Sequence, residues 1–239
     1  EEEGGGGESG GLSNLGSKKP KETRERNFVE NSTSALGLEL SGLYAEKVKK
    51  VGIKLFTSYK KGTAFDPADI GLTAIPKFDR WTVNPRMFFY LGTDTKMDLG
   101  VSYITEDRLG GNTDFIKGID VQNPYFEKNL TDRFSTQFNF SHRFSKTAQL
   151  RIKNSISNFE RQIEIPDYGF SGQQLSTFSE VNLITFTDRS EWVWGINLWS
   201  DQFEHREARA GSDLSFSNVT VGLFAQNTFN LTQKWTSEL

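Results

Sequence analysis

The sequence lacks cysteine and contains little histidine and methionine. None of its 239 residues is Cys, and His and Met occur only twice each. The absence of Cys excludes a disulfide framework, a thiolate metal site and a cysteine nucleophile. His142 and His205 stand far apart in the sequence, which does not favour a histidine-rich metal centre. We therefore expect neither a metal site nor a cofactor.

Long apolar runs and a large net charge are also missing. No segment approaches the run of about 18 apolar residues that a membrane helix requires. No basic-then-apolar signal peptide opens the chain, so we expect that an exported form would have lost that segment. The 28 basic and 31 acidic side chains are interspersed and give a net charge of -3. This balance supplies no basic surface for nucleic acid, and we expect no nucleic-acid partner.

Alternating apolar and polar residues are what the sequence does contain. In "KMDLGVSYITED" an extended chain would place Met97, Leu99, Val101 and Tyr103 on one face, opposite Asp98, Gly100 and Ser102. The same period of two recurs along the chain, and the 20 Phe residues favour strands. We predict about ten strands of roughly 9 to 14 residues, the first of them at 23–31. Strands in globular proteins average about 5–6 residues, whereas membrane strands need about 9–11.

The connections between the predicted strands alternate between short and long. Short polar turns are predicted at 47–50, 92–95, 145–147, 187–190 and 231–234, and long irregular segments at 61–80, 107–129, 162–173 and 201–216. In an antiparallel sheet this order places all short turns at one end and all long loops at the other. Outer-membrane barrels have this asymmetry. A β-sandwich gives no reason for it, and a propeller would use four strands per repeat.

The second face of the predicted strands is too polar for an apolar core. We predict that the residues lining a lumen include Arg133, Gln137, Asn139, Arg143, Arg151 and Lys153. Burying these cations unpaired would cost on the order of several kcal/mol each, whereas a wide aqueous lumen removes that cost. The apolar face would then meet lipid. The alternative is a half-exposed antiparallel sheet whose polar face lies in bulk water.

The order and spacing of several segments resemble those of a known family. They are "GGGGESGGLSNLGSKKPKE", "TSALGLELSGLYAEK", "YFEKNLTDRFSTQFNFSH" and "LFAQNTFNLTQKW". The first resembles the last part of the plug domain of TonB-dependent outer-membrane receptors, and the others resemble successive barrel hairpins of such receptors from Bacteroidota-like bacteria. The resemblance covers nearly the whole chain, and no single segment is a sharp motif.

The resemblance implies an all-β fold and a location in the bacterial outer membrane. Residues 1–22 would be the end of the plug or a linker, and residues 23–239 part of a transmembrane antiparallel barrel with about 22 strands. We would then expect the chain to be a piece of a longer protein. The implied partners are outer-membrane lipid, a TonB-type energy-coupling protein that contacts the missing start of the plug, and a small-molecule ligand, most often a ferric siderophore.

Ligand recognition is predicted at the long loops, because recognition residues concentrate on loops held by a rigid scaffold. Arg and Lys beside Tyr and Phe suit an anionic ligand with apolar parts. The candidate contacts are Lys77, Arg80, Arg108, Tyr125, Phe126, Tyr168 and Phe170. The alternative for each of them is ordinary loop packing.

Catalysis has little support in the sequence, and we predict that the chain is not an enzyme. Neither His has a Ser or carboxylate at a recognisable spacing. The best catalytic alternative is a small closed barrel with His205 beside Asp201 or Asp213 at its outer rim. A further alternative is a soluble or surface-exposed β-sheet protein with a role in binding or adhesion and none in transport.

Overall fold

The computed structural model describes residues 19–208, 214–232 and 235–238. Within these ranges the chain forms one antiparallel sheet of 11 strands, and the strand order in the sheet is the order in the sequence. The strands are β1 Glu25–Ser32, β2 Leu38–Val48, β3 Val51–Gly62, β4 Lys77–Leu91, β5 Thr95–Gly111, β6 Phe126–Ser145, β7 Ala148–Ile165, β8 Tyr168–Phe186, β9 Ser190–Ala208, β10 Phe216–Asn230 and β11 Thr236–Glu238. One short helix, α1 Thr113–Ile116, lies between β5 and β6. The predicted all-β antiparallel fold is confirmed, with one strand more than the ten expected.

The central strands are longer than the sequence predicted. β5 has 17 residues, β6 has 20 and β7 has 18. The prediction of 9 to 14 residues was wrong because it ended each strand where the alternation of apolar residues ended. Backbone pairing continues beyond that point, as in the contact of Gly111 with Phe126.

The third long loop is absent, and the prediction of an irregular segment at 162–173 was wrong. β7 continues to Ile165 and β8 begins at Tyr168, so only Pro166 and Asp167 connect them. Asp167 has a φ of 65°, in the left-handed region that Asp tolerates. Gly169 and Gly172 lie inside β8. Residues 201–208 of the fourth predicted segment are strand as well, and residues 209–213 lie outside the described part.

The remaining connections follow the predicted asymmetry. Short turns at 49–50, 92–94, 146–147 and 187–189 lie at one end of the sheet, which we call the short-turn end. The connections 63–76 and 112–125 lie at the opposite, long-loop end, and they pack against each other. The Thr113 N–H donates to the Gly71 carbonyl at 3.0 Å, and Leu72 pairs with Asn112 in an isolated antiparallel bridge. These loops therefore form one ordered layer.

The register of the strands separates two faces. One face carries the apolar side chains of the alternating pattern, and we call it the apolar face. Many of them are at least 36% exposed, among them Ile53, Leu55, Trp81, Val83, Met87, Leu99, Tyr103, Phe134, Ile156, Val181, Leu183, Trp194, Ile196, Leu198, Val221 and Leu223. The residues between them form the polar face.

A packed apolar core is lacking in the described part of the chain. Only Ala45, Phe88 and Ile184 are buried hydrophobic residues there. No described element covers the apolar face, and an apolar surface of this extent marks contact with a membrane or another layer. None of the helices in the described ranges has the length and apolar character needed to cross a membrane.

The start of the described chain approaches the sheet at the short-turn end. Pro20 is buried, and it lies so close to Gly52 that a Cβ on this glycine would be 2.5 Å from the proline ring. The Lys47 N–H donates to the Lys21 carbonyl at 2.8 Å. Because Gly52 stands opposite Phe88 on the polar face, Pro20 lies on that face.

Candidate functional site

The polar face gathers the six residues that the sequence predicted for a lumen. They occupy alternate positions of β6 and β7, and register places Asn139 opposite Lys153 and Arg143 opposite Gln149. Arg133 stands opposite Phe159, and its guanidinium carbon lies 4.6 Å from the centre of that ring. Since the strands run antiparallel without a crossover, all six side chains project from one surface.

Basic residues dominate the central part of the polar face. On β3 to β7 it carries eleven basic and three acidic side chains, namely Lys54, Lys60, Arg80, Arg86, Lys96, Arg108, Arg133, Arg143, Arg151, Lys153 and Arg161 against Asp98, Glu106 and Glu127. The whole chain is slightly acidic, so this surface differs from the average of the protein. A concave surface with one predominant sign of charge concentrates ligands of the opposite sign.

Asp98 is the centre of one polar network on this face. Its Oδ1 accepts from Arg86 Nη2 at 2.5 Å and from Asn139 Nδ2 at 3.0 Å. The Arg86 and Asp98 side chains are only 16% and 19% exposed. Charges that are mostly removed from water are tolerated when they are paired and hydrogen-bonded in this way.

Glu180 forms a second network on the neighbouring strands. Its carboxylate is 3.0 Å from Lys153 Nζ and accepts from Asn182 Nδ2 at 2.9 Å. Glu180 is 8% exposed and Asn182 is 5% exposed. The network thus holds one of the predicted lumen cations in a fixed position.

Two of the predicted ligand contacts meet near the long-loop end. Arg80 and Arg108 both pair with Glu106, and the distance from Arg108 Nε to Glu106 Oε1 is 3.1 Å. The Arg108 guanidinium also lies 5.7 Å from the ring centre of Phe78. Two guanidinium groups share one carboxylate, which leaves an excess of positive charge there. A depression of about 360 Å³ is lined by residues that include Lys60, Arg80, Glu106, Arg133 and Phe159.

The other five predicted contacts do not form one site. Lys77 and Phe126 line a separate depression of about 470 Å³, in which the Phe126 ring stacks on Phe115 at 5.1 Å. Tyr125 and Tyr168 are 54% and 41% exposed. Phe170 packs in another group of rings, on β8 to β10. The sequence prediction treated these residues as one set, whereas the structure distributes them over several places.

Aromatic residues replace the basic ones on the last strands of the polar face. On β8 to β10 this face carries Phe170, Phe178, Trp199, Phe203, Phe216 and Phe224. Trp199 is 55% exposed and meets Phe178 edge to face at 5.3 Å. The polar face thus has a basic part on β3 to β7 and an aromatic part on β8 to β10.

Four rings gather where the aromatic part reaches the long-loop end. Phe170, Phe203, His205 and Phe216 form this group, which we call the ring cluster. The ring centres of Phe170 and Phe203 are 6.3 Å apart, and those of Phe203 and Phe216 are 5.7 Å apart. His205 lies 5.3 Å from Phe170. Of these four residues, the sequence analysis proposed only Phe170 for ligand binding, because it assigned the "FEHREAR" segment to a loop. If this segment is read as a strand, its alternation places Phe203 and His205 on one face.

The described residues do not bring together the side chains that the catalytic alternative requires. The Asp201 carboxylate accepts from Gln174 Nε2 at 2.9 Å and from Ser176 Oγ at 2.7 Å, and no hydrogen bond joins it to His205. Asp213 lies outside the described residues. Within the described ranges, no group of three or more His, Asp or Glu side chains is placed to hold a metal ion.

Comparison with known proteins finds similarity in structure alone. No protein-family model and no curated protein matches the chain. Among solved structures, the closed form of the ferric-catecholate import receptor Fiu from E. coli K12 is similar with a TM-score of 0.67 and 13% identity, over 91% of this chain and 40% of that one. A mutant of the ferric enterobactin receptor PfeA from Pseudomonas aeruginosa gives a TM-score of 0.65 and 9% identity, over 90% and 38%. The copper transporter OprC gives a TM-score of 0.62 and 12% identity, over 88% and 37%.

These similarities show the fold. The sheet has the architecture of part of a receptor β-barrel, which confirms the predicted barrel segment. The chain spans about two fifths of the length of the solved structures it resembles, with 40%, 38% and 37% of each covered.

Proposed function

We propose that the chain forms part of the barrel wall of a TonB-dependent outer-membrane receptor, which takes up a scarce nutrient. One observation carries this proposal: strands β3 to β10 expose an apolar face on one side and a hydrogen-bonded polar face on the other. A wall between lipid and an aqueous lumen requires that division. The fold similarity to import receptors supports the same conclusion.

Residues 1–22 are proposed as the end of a plug domain and residues 23–239 as the barrel part. The position of Pro20 against Gly52 supports this division, because it places the start of the described chain on the polar face. A TonB-type coupling protein would act on the plug at the short-turn end. The apolar face would contact outer-membrane lipid.

The proposed ligand is an anionic small molecule, with a ferric siderophore as the leading candidate. The basic part of the polar face favours a negative charge in the lumen. Arg80 and Arg108 lie where a ligand would arrive from the long-loop end. Two of the similar solved structures are named as ferric-catecholate and ferric enterobactin receptors, and a third as a copper transporter.

Folding in detergent tests the membrane assignment directly. Leu99 stands opposite Phe138 on the neighbouring strand, and directly opposed residues are about 4.5–5.5 Å apart. The double variant Leu99→Cys/Phe138→Cys should form a disulfide in micelles but not in plain buffer, because the two positions are distant in sequence. In the matched control Leu99→Cys/Phe140→Cys, the diagonal separation of about 7–8 Å should slow the bridge.

Strand signal in circular dichroism should likewise appear only in micelles. A monodisperse, strand-rich protein in plain buffer would contradict the proposal and favour a soluble binding or adhesion protein. Iron uptake by cells that carry the receptor tests transport itself, and it should stop when the coupling protein is deleted. Uptake that continues without that protein would contradict the energy-coupled mechanism.

A further inference from the structure

The described connections at the two ends of the sheet differ in the sign of their charge. At the long-loop end, the connections 33–37, 63–76, 112–125 and 166–167 carry five acidic residues and one basic residue, namely Asp66, Asp69, Asp114, Asp120 and Asp167 against Lys117. At the short-turn end, the turns 49–50, 92–94, 146–147 and 187–189 carry four basic and two acidic residues, namely Lys49, Lys50, Lys146 and Arg189 against Asp94 and Asp188. The short-turn end is therefore the more positive of the two.

Hydrogen bonds hold each of these four short turns against the next strand of the sheet. In every case a backbone N–H of that strand donates to a backbone carbonyl of the turn at 2.8 to 2.9 Å. The donor and acceptor pairs are Tyr90 and Lys50, Arg143 and Asp94, Phe186 and Thr147, and Asn230 and Arg189. Because the turns are tied to the sheet in this way, they form one continuous edge, which we call the basic rim.

The lysines of the basic rim are not neutralised by the described protein. They are exposed and have no ion pair among the described residues: Lys49, Lys50 and Lys146. The acids closest to the first turn have other partners, since Glu22 lies 3.6 Å from Lys47 Nζ and Glu46 lies 3.1 Å from Arg24 Nε. Cations without an internal partner create a positive potential that attracts an external anion.

Exposed apolar side chains adjoin these lysines on the apolar face. Val48 is 58% exposed and directly precedes Lys49, whereas Phe144 is 61% exposed and stands two residues before Lys146. The Phe144 ring meets the His142 ring edge to face at 4.9 Å. A cation beside an apolar side chain suits the interface of a membrane, where the apolar group contacts acyl chains and the cation reaches the headgroup.

We propose that the basic rim binds the phosphate groups of anionic phospholipid, with Lys49, Lys50 and Lys146 as the contacts. Val48 and Phe144 lie against the acyl chains of the same lipids. The apolar neighbours of the lysines favour lipid over an acidic protein as the partner. The proposal rests on the membrane location proposed above, and it adds the class of lipid and the end of the sheet that recognises it.

Lipid selectivity of the full chain in phosphatidylcholine bilayers tests the basic rim. The probes are spin-labelled phosphatidylglycerol and spin-labelled phosphatidylcholine, and electron paramagnetic resonance measures the fraction of each label that the protein immobilises. We expect phosphatidylglycerol to associate about two- to threefold more strongly, because lysines at a membrane surface attract anionic headgroups. The preference should disappear in roughly 0.5 M NaCl, which screens exposed charges.

Three triple variants locate the preference. Lys49→Gln/Lys50→Gln/Lys146→Gln should lower the association of phosphatidylglycerol to that of phosphatidylcholine. Replacement of the same three lysines by Arg keeps the charge and should keep the preference. The matched control removes equal charge near the long-loop end, with Lys77→Gln/Lys117→Gln/Lys128→Gln, and should leave the preference unchanged. Equal losses in the two Gln variants would assign the effect to net charge and overturn the basic rim.

Two further results would overturn the proposal. One is equal association of the two lipids with the unaltered chain. The other is binding of polyglutamate that depends on the three lysines, without a preference for phosphatidylglycerol, which would assign the rim to an acidic protein. Quenching of tryptophan fluorescence by brominated lipid reports insertion independently. Quenching without lipid preference would refute the basic rim alone, whereas the absence of quenching would refute the membrane location and with it the receptor function.

Discussion

Trp194 and Trp199 lie on the same strand and point to opposite faces of the sheet. Trp194 belongs to the apolar face and is 48% exposed, whereas Trp199 belongs to the polar face and is 55% exposed. Neither is covered by another element of the described chain. If the apolar face meets lipid, the two indoles have different surroundings despite their similar exposure.

Quenching by brominated lipid should distinguish the two tryptophans. In each single-tryptophan variant the other four of the five Trp residues are replaced by Phe. The variant that keeps Trp194 should be strongly quenched in bilayers of brominated lipid, because its indole contacts acyl chains. The variant that keeps Trp199 should be quenched weakly by lipid and readily by aqueous iodide. Equal lipid quenching of both would show that the two faces are not separated by a membrane.

A charge should be tolerated on one face and costly on the other. Ile156 is 41% exposed on the apolar face, and Ser155 precedes it on the polar face. Ile156→Arg should lower the free energy of unfolding in bilayers by about 2–4 kcal/mol, because it places a cation in lipid. Ser155→Arg is the matched control and should cost less than about 1 kcal/mol. Urea titration followed by Trp fluorescence measures both, and similar losses would argue against the assignment of the faces.

The Asp98 network should stabilise the sheet through Arg86. Asp98→Ala would leave a guanidinium that is only 16% exposed without its carboxylate. We expect the free energy of unfolding to fall by about 2–3 kcal/mol, since an orphaned charge that is mostly buried is more costly than a missing pair. The double variant Arg86→Met/Asp98→Ala should recover part of this loss. A double variant as unstable as the sum of both single variants would show that the pair is not coupled.

The Phe224 ring covers Gly195 on the neighbouring strand and leaves no room for a side chain at Gly195. A Cβ at Gly195 would be 2.1 Å from the Phe224 ring and 2.6 Å from Asn182 Oδ1. Gly195→Ala should therefore cost about 1–3 kcal/mol of unfolding free energy. Gly169→Ala is the control, because a Cβ there would meet nothing within 4 Å. Phe224→Leu added to Gly195→Ala should restore stability. If stability is not restored, the clash with Asn182 and not the one with Phe224 causes the loss.

The alternation of residue types was enough to predict the sheet and its two faces. Met97, Leu99 and Tyr103 share the apolar face as expected, and Asp98 lies on the other. Side chains of a strand alternate between faces whatever the partner strand, so the pattern of one segment determines its own faces. The six polar residues of β6 and β7 share one face for the same reason.

The lengths of the strands and the third connection could not be predicted in this way. Pro166, Gly169 and Gly172 indicate a loop by composition, yet β7 and β8 continue to a turn of two residues. The hydrogen bonds that extend these strands come from their neighbours in the sheet. A single segment carries no information about whether a neighbour is present.

The sequence by itself determined the fold class, the two faces and the polar character of one of them, because these follow from residue type and a period of two. Only the tertiary structure decided which side chains meet. Arg80 meets Glu106 on the next strand, and Phe170 meets Phe203 on the next strand, although both pairs are distant in sequence. Such contacts depend on the register between strands, and register is fixed by the pairing of all the strands together.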